Sequence, residues 1–265
     1  METVAEPHVT PEPQPTRASG TGHRIVALIG ELMIIAGAVI ALYVVWQLFY
    51  TDVEANNIQK ETVEELDWAY TPPITAGEPQ TEGPETIPDQ FKLAPDIAPV
   101  MAEPTFGTTF ATFYVPRWGA EYVKPISEGV DRHRILDRLG IGHYPHTGMP
   151  GALGNFAISA HRTTYGKPFN RIAEVKVGDY LVVQTEEAWY VYRATAHDIV
   201  RPTQVEVIAP VPNKPGADPD NHYITLTSCH PMYSAAERYV VWGVLEYWSP
   251  VGHGIPEELL EVPAS

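Results

Sequence analysis

Cys229 is the one cysteine among 265 residues, and it closes the run Tyr223-Ile224-Thr225-Leu226-Thr227-Ser228-Cys229. Alternation puts Tyr223, Thr225, Thr227 and Cys229 on one face of a strand and Ile224, Leu226 and Ser228 on the other. Such a strand would hold the sulfur on a rigid element. Arg238, nine positions on, would bring a permanently charged guanidinium from the next strand. A thiol so placed is a candidate nucleophile, although a lone cysteine also serves as a small buried hydrophobe. Acyl transfer from an amide needs two further groups, a proton donor for the leaving amine and a stabiliser for the oxyanion. The planar fork of Arg238 suits the second task. Ten histidines compete for the first. His230 adjoins the thiol and His222 precedes it by seven, but alternation turns both toward the other face. The donor is therefore expected from a different strand, and the residues alone leave His143, His146, His161 and His197 open. His133, inside the charged run Asp131 to Arg134, reads as solvated. With ordinary pKa values of about 8.5 for a thiol and 6.5 for an imidazole, only about 1% of sites would hold thiolate and imidazolium together. A nearby Arg238 would raise that fraction.

The elements that must position these groups are mostly strands. Short β-type runs recur at Phe110–Val115, Gly154–His161, Tyr180–Gln184, Trp189–Ala196, Tyr223–Cys229 and Tyr239–Tyr247. Turn clusters separate them, such as Asn213-Lys214-Pro215-Gly216-Ala217-Asp218. Many short strands with few helices predict a mainly β domain, a closed barrel or a sandwich. Thr225 and Thr227 share the cysteine face and are candidates to line a groove with Ser228, Tyr114 and Tyr165. One cysteine leaves no intramolecular disulfide, so the fold must rest on its core. No carboxylate cluster has calcium-loop spacing, and no metal or cofactor is expected.

Upstream, Ile25 to Tyr50 is apolar except for Glu31 and Gln47. Helical, it would span about 39 Å, enough for a hydrocarbon core of roughly 30 Å. It is too long for the core of a cleaved signal peptide and ends in the aromatic run Trp46-Gln47-Leu48-Phe49-Tyr50, which reads as a retained anchor. The boundaries expected are a disordered cytoplasmic tail (1–24), a transmembrane helix (25–50), an acidic Pro-rich linker (51–104), a catalytic domain outside the membrane (105–256) and a tail (257–265). The linker carries twelve acids against two bases, and eight prolines fall between 71 and 104. Residues 51–70 could extend the anchor as a helix before Pro72-Pro73 ends it; treated as a coil, 51–104 would reach about 40 Å. The net charge of −16 belongs mainly to it, since residues 105–256 hold fourteen acids and thirteen bases. No clustered basic face is left for nucleic acid.

The run 225–238, Thr-Leu-Thr-Ser-Cys-His-Pro-Met-Tyr-Ser-Ala-Ala-Glu-Arg, resembles the sortase signature TLxTC followed by a catalytic arginine. Asn155-Phe156-Ala157-Ile158-Ser159-Ala160-His161-Arg162 resembles the strand that delivers the sortase histidine. The run His161-Arg162-Thr163-Thr164-Tyr165-Gly166 is most similar to class E sortases of actinobacteria. Ser228 departs from the family's usual threonine; the hydroxyl is kept and a methyl lost. The resemblance covers roughly residues 105 to 250 and implies an eight-stranded β-barrel with short helices. It implies Cys229 as nucleophile, His161 as general acid/base and Arg238 at the oxyanion or substrate carbonyl. The implied reaction cuts an LAxTG or LPxTG sorting signal of a surface protein between Thr and Gly, class E favouring LAxTG. The Thr carbonyl then passes to an amine on a lipid-linked peptidoglycan precursor at the membrane. Two alternatives stand beside this. L,D-transpeptidases place Ser-His-Gly before the thiol and arginine about two residues after it, a pattern this chain lacks. A membrane-anchored binding module would keep Cys229 as a structural residue.

Overall fold

The computed structural model describes residues 21–72 and 85–260, in two compact units, one ending at Gln47 and the other beginning at Leu48. The first unit holds helix α1 (Thr21–Val45). Its stretch Gly22–Val45 is long and apolar enough to cross a membrane, and Ile25, Leu32, Ile40 and Val44 all lie on its surface. The helix begins four residues before the expected anchor, and Trp46–Tyr50 forms a π-type turn. The rest of the expected N-terminal tail lies outside the described residues.

The second unit is a closed eight-stranded barrel in the order β1-β2-β3-β4-β7-β8-β6-β5. The strands are β1 (Thr109–Tyr114), β2 (Val123–Glu128), β3 (Ile141–His143), β4 (Gly154–Ala160), β5 (Tyr180–Gln184), β6 (Ala188–Val200), β7 (His222–His230) and β8 (Glu237–Pro250). Pairs β2–β3 and β4–β7 are parallel and the other pairs antiparallel. Alternation sorts the side chains. Phe113, Ile126, Phe156, Ile158, Leu181, Val183, Ile224 and Leu226 fill the interior. Their neighbours Tyr114, Val182, Trp189 and Val191 point outward into a second apolar cluster with Ile87, Tyr247, Ile255 and Leu259.

That outer cluster explains a departure from the expected linker. Residues 85–104 run along the barrel rather than through solvent. Leu93 exchanges both backbone hydrogen bonds with Trp248, at 2.8 and 3.1 Å, and the Ile87 N–H donates to Ile255 O at 2.9 Å. Tyr190 donates its hydroxyl to Pro99 O at 2.8 Å. The prolines remove donors, but Ile87, Phe91, Ala98 and Met101 supply enough apolar surface to dock the strand-hugging chain. The C-terminal boundary moves for the same reason. Glu258 and Leu259 are buried, and Glu258 accepts a 2.7 Å hydrogen bond from Tyr247.

Helix α2 (Thr51–Glu64) lies within the helix expected over 51–70, and its packing on the barrel is the other departure. It lies against β2 and buries Thr51, Asp52, Ala55, Gln59 and Val63. Lys124 of β2 donates to Asn56 Oδ1 at 2.7 Å and to Gln59 Oε1 at 2.9 Å. After the helix, Gln184 holds Trp68 O at 2.7 Å and the Tyr70 N–H at 2.8 Å. Positions 73–84 of the expected linker lie outside the described residues.

Candidate active site

Register brings the chemistry together. Cys229 and Arg238 are direct partners across β7 and β8, so their side chains share a face. Along the parallel pair β4–β7, Ser159 is level with Thr227, and two steps further His161 comes level with Cys229. Ser228 locks this end of the pairing, its hydroxyl donating to Ala160 O at 2.8 Å. The replacement of threonine by serine therefore keeps the hydroxyl that makes this bond. Cys229, His161, Arg238 and Ser228 line one open cleft of about 620 Å³, with Leu136, Tyr144 and Tyr233 on its walls. Cys229 is half-buried.

His161 is oriented by a residue that the sequence did not single out. Its Nε2 donates to Asp137 Oδ1 at 2.6 Å, which commits Nε2 and leaves Nδ1 as the nitrogen free to accept and release a proton. Asp137 follows the helical turn Arg132–Leu136, which Asp131 caps by accepting from the Arg134 N–H at 2.8 Å. The same carboxylate meets His133 Nδ1 at 3.0 Å and lies 3.8 Å from Arg132 Nε. His133, expected to be merely solvated, is exposed yet tied to the partner of His161. Burial pushes the His161 imidazole below its usual pKa; the hydrogen bond and charge of Asp137 oppose this, Arg132 reinforces it, and Asp52 opposes it. Tyr165 packs its ring on His161, with centroids 5.3 Å apart.

Arg238 lines the cleft while Nη1 donates to Ala235 O at 3.0 Å and Glu237 O at 2.9 Å. The loop backbone thus holds the guanidinium beside the thiol strand. Arg162, next to His161 and also on the cleft lining, is buried. Its Nη1 donates to His230 Nδ1 at 2.7 Å and Cys229 O at 3.3 Å, fixing the backbone that carries the sulfur. His230 is engaged there and does not line the cleft.

The remaining candidates are placed as follows. Thr225 is fully buried, donating to Asn155 Oδ1 at 2.8 Å, away from the cleft. Thr227 shares a 2.9 Å hydroxyl contact with Tyr144, one layer behind the wall. Tyr114 belongs to the outer cluster and donates to Tyr70 O and Gln184 Oε1, both at 2.8 Å. Of the open histidines, His143 is fully buried against Glu128 at 2.6 Å. His146 lies 3.7 Å from Glu103, and His197 stacks on Tyr239. None of these three lines the cleft. The alternation rule that excluded His230 holds, but no spacing rule could say which of fourteen domain acids meets His161.

The sortase domain model matches residues 113–246, just over half of the chain. Sortase SrtE1 of Streptomyces coelicolor is 32% identical over 254 residues, covering 92% of this chain and 64% of the relative, slightly less than two thirds of its length. The SrtA sortase of Actinomyces oris superposes with a TM-score of 0.60 at 41% identity, covering 66% of this chain and 99% of that one. Sortase E1 of Streptomyces coelicolor, solved with a tripeptide in its active site, gives 0.54 at 36% identity, covering 58% and 97%. Together with the closed barrel and the cleft at the ends of β4, β7 and β8, these matches establish that the chain belongs to the sortase family, with class E sortases among its relatives.

Proposed function

We propose that the protein is a membrane-anchored cysteine transpeptidase that cuts an LAxTG/LPxTG-type signal between Thr and Gly. It then joins the Thr carbonyl to a cell-wall precursor amine. The observation that carries this reading is the register that aligns Cys229 with Arg238 and His161 in one cleft, with the far nitrogen of His161 held by Asp137. Cys229 Sγ attacks the Thr carbonyl carbon, and Arg238 takes the negative charge that develops on oxygen. As the C–N bond breaks, His161 Nδ1–H protonates the departing glycine amine and leaves a thioester. An incoming amine attacks the thioester, His161 accepts its proton, and the C–S bond breaks to return the thiolate. Asp137 keeps the ring in the orientation and tautomer both steps use. Helix α1 supplies the anchor, with the N-terminus cytoplasmic and the barrel outside.

The test offers LAxTG and LPxTG peptides with a glycine or diaminopimelate-type amine and reads products by mass spectrometry. A new amide at the Thr carbonyl, absent in Cys229→Ala, is expected, with LAxTG preferred, as the resemblance to class E sortases implies. No cleavage of either peptide, together with a thiol unreactive until unfolding, would return the chain to the binding-module reading.

A further inference from the structure

The segment directly after the apolar helix reaches the active site. Asp52, in the first turn of α2, is only 7% exposed. Its Oδ1 accepts from the Gly166 N–H at 3.1 Å, and its Oδ2 pairs with Lys167 Nζ at 2.9 Å. Gln59, 1% exposed, donates Nε2 to Tyr165 O at 3.1 Å. Three consecutive residues beyond His161 are thus each held by α2. All three have left-handed backbone, with φ of 55° at Tyr165, 76° at Gly166 and 37° at Lys167. For two non-glycine residues that conformation is costly and needs outside contacts to hold it. The fit is close: a Cβ on Gly166 would come within 2.8 Å of the Gln59 amide. The chain then doubles back, Phe169 N–H donating to His161 O at 3.0 Å. A helix serving only to cover a sheet would bury apolar side chains. Beside Ala55 and Val63, this one also buries a carboxylate and an amide, and such groups are tolerated where each finds a partner. Their partners are the turn that seats Tyr165 on His161, and β2.

We infer that α2 is a working part of the active site, with Asp52 a positioning residue that holds the 165–167 turn and, through Tyr165, the His161 ring. The inference rests on the reading of His161 as the acid/base. The charged and titratable groups around that ring are Asp137, Arg132 and His133 from the 131–137 turn, Asp52 from α2 with Lys167 beside it, and Cys229, Arg162 and Arg238 around the cleft. The charge of Asp52 favours the imidazolium, so the two ends of the Asp52–Lys167 pair should act on it with opposite sign.

The test uses the 265-residue chain in detergent, with peptide turnover measured over about pH 5 to 9 and folding followed by circular dichroism. Asp52→Asn is expected to lower kcat about tenfold, with KM within about twofold, and to move the acidic limb to lower pH. Lys167→Met, which removes the same contact from the loop side, should also lower kcat but move that limb to higher pH. Lys60→Ala, on the solvent face of α2, should match the parent. If Asp52→Asn does not fold, Lys167→Met alone decides by the direction of its limb. Folded variants whose kcat and limb coincide with the parent would overturn the inference. His161→Ala is measured alongside. If it retains turnover, the acid/base reading falls and this inference with it. If it is inactive while both pair variants behave as the parent, only the role of α2 falls.

Discussion

Asp137 decides how His161 can work. A neutral imidazole donating Nε2–H to Asp137 Oδ1 at 2.6 Å presents Nδ1 as the base, and after protonation Nδ1–H is the acid. Asp137→Asn keeps the shape but can offer N–H where an acceptor is needed, and it removes the charge that supports the imidazolium. Turnover should fall by about 100-fold or more. Burial sets the imidazole below its usual pKa, so the acidic limb of the parent profile should lie below about 6.5. Activity is lost as pH falls through that value, because thiol and imidazole are then both protonated. Asp137 opposes the burial effect, so Asp137→Asn should shift the limb still lower; a limb that stays or rises would contradict the assignment. Arg238→Lys retains charge but not the fork whose Nη1 spans Ala235 O and Glu237 O. Losing an oxyanion donor costs on the order of 10² to 10³ in rate, and near-normal turnover of Arg238→Lys would remove it from that role.

At the scale of elements, each group of the candidate site depends on how tightly two pieces of chain approach. The turn Arg132–Leu136 that presents Asp137 lies over β3, where a Cβ on Gly142 would stand 2.2 Å from Gly129 O and 3.0 Å from Leu136 Cδ2. A backbone oxygen cannot yield as a flexible side chain can. Gly142→Ala should therefore cost about 1–3 kcal/mol, or about 2–4 °C in Tm per kcal/mol, and displace Asp137 from His161. A thermal melt with peptide turnover checks both; an unchanged melt would mean the turn has room to move. The same close approach shows why some elements were legible in sequence and others were not. Strand β7 announces itself by alternation, and β4, β5, β6 and β8 by apolar runs. Strand β3 is three residues with a central glycine, and β2 carries Lys124-Pro125 and ends on buried Ser127 and Glu128, so neither shows an apolar period. Helix α2 falls within the helix expected over 51–70, but its docking on the barrel was hidden, since its buried stripe includes Asp52 and Gln59. Cys229 and Arg238 could be placed as neighbours because they sit on strands whose register follows from pattern; His161, just past β4, was open among four histidines and was singled out only by the family resemblance. Asp137 and Asp52 could not, because both meet His161 or its loop from other elements, and only the closed barrel fixes those distances.

For the whole molecule, the boundary between the apolar helix and the barrel is where sequence composition and structure diverge most. Acids and prolines in 51–104 suggest a solvated tether that could be removed without chemical consequence. The second compact unit instead begins at Leu48. It includes α2 against β2, the 65–72 segment held by Gln184, and the 85–104 segment paired to Trp248 and capping Trp189 and Tyr247 through Ile87 and Phe91. Removing these pieces would uncover apolar side chains worth about 1.5–3 kcal/mol each when fully buried, a large loss against a total of about 5–15 kcal/mol. It would also free the 165–167 turn from Asp52 and Gln59. A protein spanning 48–265 should therefore melt cooperatively and cleave a soluble signal peptide, whereas one spanning 105–265 should melt many degrees lower and lose most of its turnover. Parallel thermal melts and peptide assays on the two proteins decide the matter. If 105–265 matched 48–265 in both, the segments would be passengers on the barrel, and the catalytic unit would begin where the acids and prolines end.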